Sequence, residues 1–313
     1  MRILVTGSSG FVGKALVERL RSAGHVATGL SRRPDHDALL GDLLRAETLT
    51  SAIATFEPEL IYHLAAQTAL KGEPAEGYRV NTDGTANLIR AVAESSSVKR
   101  VVWMSSQLVS RPGRTPVSDT DYDPADAYGA SKADAERMIR AQSGGGKEWV
   151  IVRSTTIWGP GMSEHYAGVI RLIRRGVYFN VGRRPLRKSY SYIENLTGQL
   201  LSVGTASAGQ VHGQTFYLAD SDPIDLRAWA DGFAAEFGRR LHTMPVPLAK
   251  GLGLAGDLAA RLGLPAPVRS SRIANMLTEY VYDTGPIDAV HGRTAIDWRE
   301  GVRRTADWIK ADT

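Results

Sequence analysis

The chain opens with a short apolar run, MRILVTG, that breaks at once into glycines, TGSSGFVG, and then into a helical pattern, GKALVERLRSAG. Few folds accommodate that order. A strand must stop, turn within a few residues and start a helix. Gly7, Gly10 and Gly13 permit this: one for the tight turn, one for close backbone approach to a pyrophosphate, one for close packing of helix on strand. The helix N-terminus then faces the phosphates with its unbonded amides. Isolated glycine spacings are weak evidence. In this strand-loop-helix setting they predict dinucleotide binding, with Gly7, Ser9, Gly10, Phe11, Val12 and Gly13 contacting the cofactor.

The remainder of the first half continues the alternation. Runs at HVATGLS, ELIYHLAA, VKRVVWMSS and WVIVRST are nearly continuous in Val, Ile and Leu, the pattern of strands buried on both faces. Between them lie helical patterns at RAETLTSAIATF, GTANLIRAVAES and SKADAERMIRAQ. The prediction is an α/β fold, a Rossmann-type doubly wound parallel sheet over residues 1–160, to which later segments can return. Residues 161–313 are less regular, with a strand-like TFYLAD and helical patterns at LRAWADGFAAEFG and EGVRRTADWIKA. They read as a smaller C-terminal lobe built around the substrate.

Several functional classes are excluded or disfavoured. The chain has no Cys, which removes disulfides, thiolate catalysis and Cys-ligated zinc. No cluster of His, Asp and Glu has metal-ligand spacing, so no metal is expected. No charged and apolar leader precedes the first strand, and the expected location is cytoplasmic. The stretch VPLAKGLGLAGDLAARLGLPAPV is interrupted by Lys250, Asp257 and Arg261; it fails as a membrane span and reads as an amphipathic helix. No membrane partner is expected. The net charge of +5 is not gathered in a tail, and no nucleic-acid partner is expected. The densest cations, from Arg171 to Lys188, are open to two readings, a solvated basic face or a site for an anionic small molecule.

Two further features bear on chemistry. At the end of the second strand, where an acid would accept from an adenosine 2′-hydroxyl, stand Ser31, Arg32 and Arg33. Two guanidiniums can receive a 2′-phosphate, which favours NADP(H) over NAD(H). Asp42 falls where a carboxylate can meet the adenine amino group, with Leu43 beside the ring. In DAYGASKADAE, Tyr128 and Lys132 are four apart in a helix-favouring stretch, so they share one face.

Taken together, TGSSGFVG, HLAA after a third strand, VNTDGTANLIRA, MSS after a fourth strand and YGASK resemble the extended short-chain dehydrogenase/reductases. That family includes nucleotide-sugar epimerases, dehydratases and ketoreductases, and 3β-hydroxysteroid dehydrogenases. The matches run in family order over about the first half of the chain. The resemblance implies that Tyr128 exchanges a proton with a secondary alcohol or ketone while hydride passes to or from a nicotinamide. Lys132 would hold the nicotinamide ribose and, as a cation, lower the phenol's pKa. Ser106 would bond the reacting oxygen, with Ser105 the runner-up, and Leu64, Ala65 and Ala66 would line the cofactor. Asn81 resembles a bracing residue, and a homodimer through the Tyr128 helix and the helix before it is implied.

The resemblance also bears on the substrate. Dehydratases carry Asp-Glu after their catalytic Thr; here Gln107 and Leu108 follow Ser106, which disfavours water elimination. Ser105, Gln107, Thr155, Thr156, Arg187 and Lys188 are the expected substrate contacts, Lys188 standing where a diphosphate-binding Arg is usual. The favoured reading is a 4-epimerase or 4-ketoreductase acting on a nucleotide sugar. The alternatives are a 3β-hydroxysteroid dehydrogenase-like or other hydroxy-compound oxidoreductase, and a non-catalytic dinucleotide sensor. YIEN and GQTFYLADSDPI look closer to the steroid branch.

Overall fold

The computed structural model describes residues 1–32, 38–68, 75–162, 164–266 and 268–311. Strands β1 (Arg2–Thr6), β2 (Val26–Ser31), β3 (Ala38–Leu40), β4 (Leu60–His63), β5 (Arg100–Ser106) and β6 (Glu148–Ser154) join strand Thr215–Leu218 in one seven-stranded sheet. Every pairing is parallel, and the spatial order is Thr215–Leu218, β6, β5, β4, β1, β2, β3. This is the doubly wound order, which reverses beside β1. The three-residue strand β3 is not anticipated by the sequence pattern; it is too short to show a period.

Alternate residues of each strand feed two cores. Ile3, Val5, Tyr62, Val102 and Val152 pack on one face; Leu4, Ile61, Val101, Trp103 and Ile151 pack on the other. Both faces are covered, which is why the strands read as continuous apolar runs. The helices α1 (Phe11–Ser22), α2 (Ala46–Phe56), α3 (Arg79–Glu94) and α4 (Ala127–Ala141) alternate with the strands.

The second half does not stand apart. Strand Thr215–Leu218 enters the main sheet beside β6, and helix Ile193–Thr205 packs on α1, where Arg19 Nε donates to Thr197 Oγ1 at 2.9 Å. Trp158, Tyr192, Trp229 and Phe233 belong to the same core as β1, with Trp158 edge-on to Tyr192 at 5.1 Å and to Trp229 at 5.6 Å. Three two-stranded pieces complete the lobe. Tyr190–Tyr192 lies parallel to Thr156–Trp158, Arg187–Lys188 antiparallel to Ile224–Asp225, and Phe179–Val181 parallel to His242–Met244.

Candidate active site

The loop after β1 is shaped by the absence of side chains. Gly7 has φ +73°, and a Cβ there would stand 2.8 Å from Ala65 Cα and N. A Cβ on Gly13 would be 2.1 Å from Gly7 O. Neither position accepts another residue without displacing backbone. The turn closes with Gly10 N donating to Gly7 O at 3.0 Å. Gly10 caps α1 and, among the described residues, no side chain caps its first turn, which leaves amides at this N-terminus suited to an anion. Ser9, Phe11 and Val12 lie in the same turn, Phe11 and Val12 half-buried.

Neighbouring strand ends lie beside this loop at the carboxyl edge of the sheet. Thr6 Oγ1 bonds His63 Nδ1 at 2.9 Å and accepts from Ala65 N at 3.2 Å, tying β1 to the segment that carries Leu64, Ala65 and Ala66, all half-buried. His63 is buried, and desolvation holds its pKa down to about 3, so the ring is neutral. At the end of β2, Ser31 is half-buried and Arg32 exposed; Arg33 lies outside the described residues. Asp42 uses Oδ1 to accept from Leu44 N at 3.0 Å, and Leu43 is buried against Gly84.

Helix α4 starts with Asp126, whose Oδ1 accepts from Gly129 N at 2.7 Å. A Cβ on Gly129 would lie 2.2 Å from Leu108 O. Its absence seats the first turn of α4 directly on the turn Gln107–Val109 that follows β5. Tyr128, one residue before Gly129, thus lies in the turn that meets the segment opened by Ser106. Tyr128 is 9% exposed, with its ring 6.2 Å from that of Tyr78. Ser106 is 6% exposed and its Oγ accepts from Leu108 N at 3.1 Å, which leaves its proton to donate. Lys132 follows one turn after Tyr128 and is only 4% exposed. Burial lowers its pKa to about 8, while Glu136 opposes that fall.

Asn81 locks this arrangement. Its Oδ1 accepts from Gln67 N at 2.8 Å, and its Nδ2 donates to Gln67 O at 3.0 Å and to Ser131 Oγ at 2.9 Å. Ser131 in turn donates to Tyr128 O at 2.7 Å. The loop after β4 and the first turn of α4 are thus one hydrogen-bonded unit.

Behind Lys132 lies a group that the spacing of Tyr128 and Lys132 could have signalled, since Glu136 is four residues further along the same helical face. Its carboxylate is fully buried and accepts from Ser105 Oγ at 2.5 Å, Arg153 Nε at 3.0 Å, Arg153 Nη2 at 2.8 Å and Tyr122 OH at 3.1 Å. Ser105 and Ser106 point to opposite faces of β5, and the Ser105 hydroxyl is taken by Glu136.

The remaining substrate candidates differ in their surroundings. Gln107 is 7% exposed and its Oε1 has no hydrogen-bond partner among the described residues. Thr155 donates to Leu218 O at 3.2 Å and meets Ser191 Oγ at 3.1 Å; Thr156 is half-buried at the start of its short strand. Arg187 is exposed, and its backbone amide donates to Glu279 at 3.0 Å. Lys188 is 1% exposed: its ammonium donates to Asn275 O at 2.7 Å and Oδ1 at 2.9 Å, and lies 4.3 Å from the centre of the Tyr280 ring. No group of three or more His, Asp or Glu able to hold a metal occurs among the described residues.

Comparison with known proteins bears on this site. Residues 3–188 match the sequence model of the NAD dependent epimerase/dehydratase family. The chain is 30% identical over 268 residues to a 3-beta-hydroxysteroid dehydrogenase of Mycolicibacterium neoaurum, spanning 78% of this chain and 72% of that one. It is 29% identical over 335 residues to a UDP-glucose 4-epimerase of Vibrio cholerae, spanning 97% and 94% of the two. Among solved structures, the UDP-glucose 4-epimerase of Thermus thermophilus in complex with NAD has a TM-score of 0.75 at 22% identity, over the full length of both chains.

Proposed function

Because the chain belongs to the NAD dependent epimerase/dehydratase family, whose enzymes carry an NAD(P)-binding Rossmann fold, we propose that it interconverts a secondary alcohol and a ketone, with Tyr128 exchanging the proton. The observation that carries the reading is the seating of α4 on the Ser106 turn through Gly129, with Lys132 buried one turn behind Tyr128. Ser106, rather than Ser105, donates to the reacting oxygen, because its proton is uncommitted. Tyr128 then delivers or removes the hydroxyl proton, and the nearby ammonium favours the phenolate. Glu136 sustains that ammonium from the next turn.

The residues fit a dinucleotide. The Gly7 and Gly13 positions, where a Cβ would collide with backbone, and the uncapped N-terminus of α1 suit a pyrophosphate. When bound, the nicotinamide supplies or accepts hydride. Gly7, Ser9, Gly10, Phe11, Val12 and Gly13 hold the phosphates, Leu64, Ala65 and Ala66 flank the path to the ring, and Lys132 holds the ribose. Arg32, exposed at the end of β2, supports NADP(H) over NAD(H). Pairing of two copies through α3 and α4 remains our reading of the assembly.

For the substrate we favour a lipophilic hydroxy or keto compound. Lys188, the cation best placed for a diphosphate in the sequence, is committed to Asn275 beneath Tyr280. The segment beside it contributes the buried rings of Tyr280 and Tyr282. The similarity to a hydroxysteroid dehydrogenase supports the same reading. A nucleotide sugar is the second reading, supported by the exposed Arg183, Arg184 and Arg187 and by the similarity to a UDP-glucose 4-epimerase. Thermal denaturation with cofactor present separates them, since a ligand that binds only the folded state raises the midpoint. A shift and turnover with hydroxysteroids or alkyl ketones, and none with UDP-glucose, is expected; the reverse would overturn the preference.

A further inference from the structure

Helix Val246–Arg261 is amphipathic in an unusual sense: its inner face is made of small residues and its leucines point outward. Ala249 is fully buried, a Cβ on Gly253 would come within 3.0 Å of Ser270 Cα, and one on Gly256 within 1.8 Å of Val268 O. The helix is therefore packed closely on the segment leading into helix Ser270–Leu277, and that contact needs no leucine. Leu248 is 61% exposed, Leu252 40%, Leu254 66%, Leu258 59% and Leu262 69%, and Leu264 follows at 57%. Six of the thirteen exposed large hydrophobic residues in the described chain fall in this one segment, so the exposure is a patch and not scatter.

At about 100° per residue, Leu254, Leu258, Leu262, Leu248 and Leu252 sweep the arc opposite Ala249, Gly253 and Gly256. Lys250 and Arg261 stand together along one margin of that arc. Asp257, the single carboxylate of the helix, stands half-exposed between that margin and the packed side, where it accepts from Ser270 N at 3.3 Å and interacts with Arg261 and Arg269. The outward face thus presents leucines with an excess of cations along one margin, where Arg261 and Arg269 act on the single carboxylate, Asp257.

We propose that this face seats the protein on an anionic membrane surface. The helix would lie in the plane of the interface, about 24 Å long at 1.5 Å per residue. Its leucines would enter the boundary between headgroups and acyl chains, with Lys250 and Arg261 reaching lipid phosphates. A second copy is the poorer occupant: two such faces bring Lys250 and Arg261 against their own kind, and the one carboxylate nearby, Asp257, is already engaged by Ser270 and by Arg261 and Arg269 of its own chain. Asp257 and Arg261 argued against a span, yet their positions on the helix suit an interfacial one. This inference goes beyond the proposed reaction and holds for either substrate class.

The test is flotation of the full-length protein with vesicles of phosphatidylcholine alone and with about one-third phosphatidylglycerol. The expected result is binding to the anionic vesicles, weakened by salt. The L254E/L258E variant should lower the partition coefficient at least about tenfold, with an unchanged circular dichroism spectrum and unchanged cofactor affinity. K250E/R261E should remove the preference for anionic lipid. Absence of wild-type binding to either vesicle would overturn the proposal, as would unaltered flotation of L254E/L258E. So would a dimer in solution that L254E/L258E converts to a monomer, which would assign the face to a second copy.

Discussion

Replacing Lys132 with Met should stabilise the folded protein near neutral pH while abolishing turnover. Burial lowers the Lys132 pKa from 10.5 to about 8, after the opposing attraction of Glu136. Each unit corresponds to 1.36 kcal/mol, so carrying the proton in the folded state costs about 3 kcal/mol. Methionine keeps an unbranched chain and removes the charge. The sign follows from linkage: below pH about 8 both states hold the proton and the folded state bears the full penalty. As pH rises from about 8 to 10.5 the folded state releases its proton first, and wild-type stability recovers. The difference between variant and wild type should therefore be largest, up to about 3 kcal/mol, near pH 7, and should vanish by the pKa of free lysine. Urea unfolding followed by circular dichroism across that range measures it, other titrating groups cancelling in the difference. A variant less stable than wild type at neutral pH, or a difference that does not change with pH, would show that the buried charge of Lys132 does not destabilise the fold. A gain in stability with loss of activity is the expected pattern for a charge kept for function.

Glu136→Gln should do the opposite: it strands the buried Arg153 guanidinium at a cost of about 3 kcal/mol or more, and moves the alkaline limb of activity to lower pH because Lys132 loses the charge that supports its proton; denaturation and a pH–rate profile report both. Gly13→Ala should weaken cofactor binding about ten- to hundredfold, since a Cβ 2.1 Å from Gly7 O forces the loop apart. Gly168→Ala, a helical position with open space around it, should leave binding unchanged in the same titration. Asp220 is buried, accepts from Tyr192 N and Asn195 Nδ2, and is raised by desolvation from 3.8 to about 7. Wild-type stability should lose this contribution as pH climbs from about 4 to about 7, and Asp220→Asn should flatten that slope in unfolding measurements.

The parts of this molecule that were legible in the sequence share a physical cause. Strands β1, β4, β5 and β6 show as continuous apolar runs because helices cover both sheet faces. Gly7 and Gly13 show because backbone already occupies the space a side chain would take. Tyr128 and Lys132 show because helical spacing is local. What depends on distant partners did not show. Glu136 continues the Tyr128–Lys132 row, but its meaning comes from Arg153 on another strand and Ser105 on a third element. Lys188 looks like a free cation until Asn275, 87 residues away, takes it. The helix Val246–Arg261 reads as amphipathic, yet which face turns inward depends on Gly253 and Gly256 meeting the backbone around Ser270 and Val268.

The most direct test of the account is the rate at which reduced nicotinamide forms from a secondary alcohol with wild type and with Tyr128→Phe, measured at saturating cofactor alongside the cofactor Kd. A Kd within about threefold of wild type and a rate lower by about a hundredfold or more are expected. A Tyr128→Phe enzyme that binds cofactor and turns over at the wild-type rate would contradict it.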